Sequence, residues 1–422
     1  MVIIGCLKYI IIVENNMKNK GDIQMLYLDN AATTKPNLPV LNAIIKSFRD
    51  YYNPSSLYSS AKCVKEKIEK AREYVAQSIN AEPNEIYFTS SGSEANTWAI
   101  RGFFDKQIQT EKTVYCFYSK TEHKSITSTM LNIEKQYKFT HFFGFKIPVN
   151  KQGFVDSKTL INEIKEVNYY NTNEVPYPSL ISVQYVNSEL GTIQNIKELA
   201  ETAHKYNAVF HCDAVQAYGH ISIDVKDLNV DMMSFSGHKI GTPKGIGFLY
   251  IKNGIEITPL ICGSQENGMR GGTENVPYII GLGKAAKLAR KTVIKQNEYV
   301  DSVKKYLIQQ LKENFDCTVN TPEKSVSNIV NITFNHNITG ESLVYMLDMA
   351  NIYISTGSAC NSHSNKPSAT LKAIGLTDEQ ALKTIRISLP NDNSITESNI
   401  DMFINELIKC VSLTDKDFKR RN

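Results

Sequence analysis

The chain has 422 residues, 42% of them hydrophobic and 21% charged, with a net charge of +4. That length allows two domains with separate cores, and the composition fits a soluble globular protein. A charge so small, with no concentrated basic stripe, excludes an obvious nucleic-acid-binding face, and no stretch approaches the ~18 apolar residues of a membrane span.

In chain order, "MVIIGCLKYIIIVENN" is apolar but short, without a basic start or a small-residue cleavage site, so it does not read as a signal peptide. Residues 1–24 read as an N-terminal extension, with Met17 and Met25 as alternative starts. From about residue 40, β-rich runs alternate with helical patterns. "EIYFTSS" predicts a strand, "SEANTWAIRGFFDK" a helix, "TVYCFYS" a strand, and "SLISVQYVNSELG" a strand entering a loop. "IKELAETAHKYN" is amphipathic, with Ile196, Leu199, Ala200 and Ala203 on one face; "AVFHCDAV" and "VDMMSFSGHKI" are strands with polar ends. Strand–helix–strand repetition predicts a mostly parallel sheet flanked by helices, a large domain over residues 40–285. Residues 25–39 and 286–422, with a long helix, "SNIVNITFN", a helix over Glu341–Met349 and "TIRISL", predict a smaller α+β domain.

The eight cysteines are scattered, with no C-x-x-C pair. That argues against a metal or cluster cage built by this chain alone, and against a disulfide framework, and it suits a reducing, cytoplasmic setting. Cys63, Cys116 and Cys212 sit in helical or apolar surroundings and read as core. Cys360 does not: "ISTGSACNSHS" surrounds it with small polar residues.

In open α/β sheets ligands collect beyond the carboxyl ends of strands, and four such ends carry chemistry. "TSSGSEAN" offers Gly92 and Ser93 at a helix start, where free N–H groups and the helix dipole suit a phosphate. "HCDAVQ" places Asp213 after an apolar strand with Gln216 three residues on; "SFSGHKIGTPKGIG" brings Ser236, His238 and Lys239; "YSKTEHKSI" brings His123. Each has a plainer reading alone: a capped helix, an N-cap aspartate, a surface lysine, a loop histidine. Together they are a lysine for an aldehyde, an acid for a ring nitrogen and a cradle for a phosphate, the needs of pyridoxal 5′-phosphate. No Walker-type loop and no strand-borne G-x-G-x-x-G competes, and no histidine pair has metal-ligand spacing.

The ordered set "YLDNAATTKP", "NPSSLY", "TSSGSEAN", "TEHKSI", "NSELGTIQ", "HCDAVQAYGH", "SFSGHKIGTPKGIG", "RGGTENVPYIIG", "STGSAC" and "TIRISL" resembles the cysteine desulfurases of the NifS/IscS type. These are class V aminotransferase-fold enzymes dependent on pyridoxal phosphate. The resemblance implies that Lys239 is the Schiff-base lysine and moves the Cα proton. Asp213 would hold the pyridinium N–H, Gln216 the ring hydroxyl, and His123 would stack on the ring and help with proton transfer. Ser93, Ser236 and His238 would hold the phosphate, and Thr273 would reach the phosphate of a neighbouring subunit, implying a homodimer. Arg386 would pair with the substrate carboxylate, with Asn187 and Ser188 nearby, and Cys360 would be the nucleophile that takes sulfur from L-cysteine and leaves alanine. The chain departs from the family pattern at Ser188, where asparagine is usual, at Pro390, and at Cys262 and Ser264. Sulfur acceptors implied are iron–sulfur scaffold proteins or tRNA-thiolation enzymes. Competing readings are a class V aminotransferase, a selenocysteine lyase-like enzyme, or a sulfur-carrier scaffold without turnover.

Overall fold

The computed structural model describes residues 25–110, 112–137, 140–170, 179–356 and 367–415. Cys360 and its loop therefore lie outside the described residues, as does the 1–24 extension.

The main sheet has seven strands: β2 (Ile86–Thr89), β3 (Val114–Ser119), β4 (Phe142–Ile147), β5 (Leu180–Ser182), β6 (Val209–Asp213), β7 (Met232–Ser236) and β8 (Gly247–Ile251), in the order β2-β8-β7-β6-β5-β3-β4. The neighbours from β7 through β4 pair in parallel, and β8 runs antiparallel to both of its neighbours. The mixed sheet with a mostly parallel centre matches the expected α/β class. Its central strands are short apolar runs because helices cover both faces; every residue of β7 and β8 is buried. The two faces carry separate apolar cores, one centred on Phe210, Phe235 and Phe248, the other on Trp98, Phe104 and Phe142.

A second unit is built on the antiparallel sheet β12 (Ser355–Thr356), β13 (Thr384–Ser388), β10 (Ile329–Phe334) and β9 (Cys317–Val319), beside a parallel pair of β1 (Leu26–Tyr27) with β11 (Ile352–Tyr353). Its core joins Leu26 and Leu28 to Phe315, Phe334, Ile385 and Phe403. One helix, Val276–Asn314, runs through both units: Ile279 and Leu282 pack in the sheet core, Leu307 and Leu311 in the second.

Among the other cysteines, Cys116 and Cys212 are buried as expected, but Cys63 is exposed. The helix Ser59–Ser78 buries Ala61, Val64, Ile68, Ala71 and Val75. That stripe has helical spacing, and position 63 falls off it.

Candidate active site

The carboxyl ends of β2, β3, β5, β6 and β7 share one edge of the sheet, so the polar residues that close these strands converge. Asp213 ends β6 and pairs in register with Ser234 of β7. It is 6% exposed. Its Oδ1 accepts from the Val215 amide at 3.0 Å and its Oδ2 from Asn96 Nδ2 at 2.7 Å. Two donors hold the carboxylate in one orientation, as a buried charge requires.

Asn96 lies on α1 (Gly92–Ile108) and is 1% exposed. Its Nδ2 also donates to Ser125 Oγ at 3.0 Å, and that hydroxyl lies 2.8 Å from His123 Nδ1. His123 caps α2 (Lys124–Gln136), its Nδ1 accepting from the Ser125 amide at 3.1 Å. An accepting Nδ1 puts the neutral imidazole's proton on Nε2. Asp213 and His123 are thus joined through Asn96 and Ser125. Asn96 stands in the motif "TSSGSEAN", four residues past Gly92, but nothing in its side-chain type announces the link.

Lys239 ends a single 3-10 turn, Gly237–Lys239, directly after β7. Its Nζ donates to the carbonyls of Ala31 and, at 2.8 Å, Ala32. Gln216 Nε2 donates to the same Ala31 carbonyl at 2.7 Å, so the Gln216 amide and the Lys239 amine meet at one oxygen. The β6 and β7 ends are brought together as the motif spacing implied. His238 Nδ1 contacts Thr33 Oγ1 at 3.1 Å, and burial with the nearby Lys239 and Lys244 charges pulls its pKa down to about 4. His220, buried, is likewise held near 4 by burial and by Lys239. Both imidazoles are neutral near pH 7.

Gly92 begins α1 and Ser91 caps it, accepting from the Glu94 amide at 3.1 Å. A Cβ at Gly92 would come within 2.5 Å of Val215 Cγ2 and 3.2 Å of Ser236 Cβ. Only glycine lets the helix start press this close to the β6 and β7 ends. Ser93 is exposed and Ser236 buried.

Arg386, on β13 of the second unit, is 3% exposed at its side chain and reaches the same region. Its Nη1 donates to the Ser188 carbonyl at 3.0 Å and its Nη2 to Asp29 Oδ1 at 2.6 Å. Ser188 thus contributes its backbone to the arginine. Asn187 is turned to local work: its Oδ1 accepts from the amides of Glu189 at 2.9 Å and Leu190 at 2.7 Å, and its Nδ2 from within the fold points to the Thr121 carbonyl at 3.4 Å. Thr273 is exposed and lines a cleft of about 130 Å³ with Thr89, Ser90 and Arg270, apart from the Lys239 contacts.

The carbonyls of Ala31 and Ala32, Asp29 and Glu122 were not marked by the sequence. Glu122 is buried beside His123, accepts from the Gln184 amide at 2.7 Å, and is pushed well above the usual carboxyl range by burial and by Asp213.

The residues present suit pyridoxal 5′-phosphate. Gln216 Oε1 is buried without a partner, an orphan that a ring hydroxyl would satisfy. The glycine-opened start of α1 offers free N–H groups to a phosphate. Asp213 would meet the ring nitrogen, and Lys239 would supply the amine for the aldehyde. Among the described residues no cluster of histidine, cysteine, aspartate or glutamate could hold a metal, and no helix is long and apolar enough to cross a membrane.

Comparison with known proteins agrees. The class-V aminotransferase family matches residues 26–403. The chain is similar to the cysteine desulfurase IscS of Clostridium botulinum (strain Hall), 41% identical over 92% of this chain and 94% of that one. It is similar to the cysteine desulfurase IscS of Methanosarcina thermophila, 39% identical over 93% and 95%. Among solved structures, a NifS-like protein superposes with a TM-score of 0.82 at 31% identity, over 92% of this chain and all of that one. SspA in complex with cysteine superposes with a TM-score of 0.74 at 33% identity, over 87% and 99%. The chain belongs to the class-V aminotransferase family, among its pyridoxal-phosphate-dependent cysteine desulfurases.

Proposed function

We propose that the chain takes sulfur from L-cysteine onto Cys360, releasing L-alanine, and passes the resulting persulfide to an acceptor protein. The observation that carries this reading is the convergence of Lys239, Gln216 and Arg386 on one stretch, Asp29–Thr34, at the edge where Asp213 ends β6. Bound pyridoxal phosphate supplies an electron sink that makes the amino acid's Cα proton acidic.

The chain's own residues do the rest. Lys239 Nζ supplies the amine for the aldehyde and, when released, takes the Cα proton. Asp213 accepts the ring N–H, Gln216 faces the ring hydroxyl, and His123 covers the ring. Gly92, Ser93, Ser236 and His238 cradle the phosphate. Arg386 receives the substrate carboxylate, where a planar fork suits two oxygens. The Cys360 thiolate then attacks the substrate sulfur. The S–S bond forms as the C–S bond breaks, the bonding pair goes to the substrate carbon, and a proton completes alanine. A free thiol with a pKa of ~8.5 is only a few per cent thiolate near neutrality, so the reaction needs a base near Cys360.

Thr273, exposed at its cleft, supports a homodimer in which it reaches the neighbour's phosphate. The relatives' name IscS supports iron–sulfur scaffold proteins as acceptors; tRNA-thiolation enzymes are the alternative. Six cysteines are free thiols among the described residues, which suits the cytoplasm.

The test is Cys360→Ala in cofactor-loaded protein. Alanine formation from L-cysteine with a thiol acceptor is expected to disappear while the cofactor's colour remains. Undiminished turnover would remove Cys360 from the mechanism.

A further inference from the structure

Arg386 is buried, yet its donors are unevenly used. Nη2 pairs with Asp29 and Nη1 with the Ser188 carbonyl, whereas Nε is buried without a partner. An unmet donor on a buried cation is costly unless a ligand completes it. Asp29 itself is held on two sides. It bridges to Ser388, two residues beyond Arg386 on β13, and its carbonyl accepts from the Tyr27 hydroxyl at 3.0 Å. That hydroxyl also donates to the Thr33 carbonyl at 2.8 Å, closing residues 27–33 into one fixed loop. Burial and Asp29 push the Tyr27 pKa up to about 12, so it keeps its proton. The following residues are tied to the same strand: Asn30 N and Nδ2 donate to the Ser388 carbonyl at 3.2 and 3.1 Å, and Ala31 N to Ser388 Oγ at 2.9 Å. The loop's other side carries the Lys239 and Gln216 contacts at Ala31 and Ala32, and the His238 contact at Thr33.

One short loop is therefore bonded at one end to the arginine and at the other to the lysine. We propose that Asp29 is the positioning residue for Arg386: it holds Nη2 so that an α-amino acid's carboxylate is received on the remaining donor edge, at a distance from Lys239 set by the Asp29–Thr34 loop. The Asp29 carboxylate stays on Nη2 when substrate binds, because its backbone is fixed at both ends. This inference rests on the reading of Arg386 as the partner of the substrate carboxylate.

The experiment uses cofactor-loaded dimer or monomer as purified, with L-alanine as a non-reacting probe. Its binding is followed by the cofactor's visible absorbance, alongside kcat and KM for L-cysteine. Asp29→Asn is expected to weaken L-alanine binding and raise KM by about 10- to 100-fold, the loss of one charge-assisted bond, with kcat changed far less. Asp29→Glu, which keeps the carboxylate, is expected to recover part of that affinity even if Asp29→Asn loads cofactor poorly. Because Asp29 acts through Arg386, Asp29→Asn/Arg386→Lys should bind L-alanine no more weakly than Arg386→Lys alone. Unchanged or tighter binding by Asp29→Asn, or losses that multiply in the double variant, would overturn the inference while leaving Arg386 in place. Normal L-alanine binding by Arg386→Lys and Arg386→Ala would overturn the reading of the arginine, and the inference with it.

Discussion

Replacing Asp213 by asparagine changes almost no volume, and the structure says why it is still not conservative. Both carboxylate oxygens accept from a buried donor, Oδ1 from the Val215 amide and Oδ2 from Asn96 Nδ2. An asparagine has one oxygen and one NH2 to offer. Whichever way it flips, the NH2 faces a donor, the Val215 N–H or the Asn96 amide in the orientation its bond to Ser125 Oγ holds. A buried pair left unsatisfied costs about 1–3 kcal/mol, and this cost falls on the cofactor-free protein. With Asp213 in its proposed role, the ring nitrogen of the loaded enzyme would also lose its charged partner, a further loss of about 1.5–3 kcal/mol, or roughly 10- to 150-fold in kcat/KM. Urea unfolding of cofactor-free protein at pH 7 reads the first effect, and alanine release from L-cysteine reads the second. Asn96→Ala removes one of the two opposing donors, so in a double-mutant cycle the pair should show an interaction of at least ~0.5 kcal/mol in the relieving direction. Asp213→Asn that is as stable as the parent, with strictly additive behaviour in the cycle, would refute the donor-clash argument.

Acid should destabilise the fold through two buried histidines. Burial holds His211 at about 3 and His220 at about 4. The folded pKa values lie below the unfolded one, so their contribution is present above pH ~6.5 and is lost as pH falls toward those values. The two together contribute a loss of about 5 kcal/mol between pH 7.5 and 4.5, to order of magnitude, which the buried Glu122 and Glu189, their carboxyls raised by burial, oppose; the histidine part is read from the pH slope of the urea midpoint in His211→Gln and His220→Gln against the parent, and an unchanged slope would contradict it. At Gly237 an added Cβ would lie 2.4 Å from Thr242 Oγ1 and 2.9 Å from Ile246 Cγ2. Gly237→Val should therefore destabilise by about 1–3 kcal/mol and slow the reaction of Lys239 with added pyridoxal phosphate, measured by absorbance; wild-type stability and rate would contradict the packing argument.

Much of this site was legible because strand ends leave signatures. An apolar run that stops at a polar residue, as "FHCD" does at Asp213 and "MMSFS" at Ser236, marks a buried strand and its carboxyl edge together. The strands β6 and β7 and the helix Ile196–Lys205 lie where the patterns put them. Backbone chemistry was not legible. Ala31 and Ala32 matter through carbonyls that every residue possesses, and only the three-dimensional path of "DNAATT" shows that they meet Lys239. Asn187 was expected near the substrate, but asparagine's habit of binding its own following amides claims it for the turn. Asp29 was quoted within a motif without a role, because its partner Arg386 lies 357 residues away in sequence. The passage of one unbroken helix, Val276–Asn314, between the two cores also left no mark, since its apolar face continues across both.

The claim on which the account turns is that the Lys239 amine carries the cofactor. Borohydride reduction of cofactor-loaded protein, followed by peptide mapping, tests it directly. The reduced cofactor is expected on the peptide containing Lys239, and its release from that peptide when L-cysteine is added before the borohydride. Label on another lysine, or none at all in coloured protein, would contradict it.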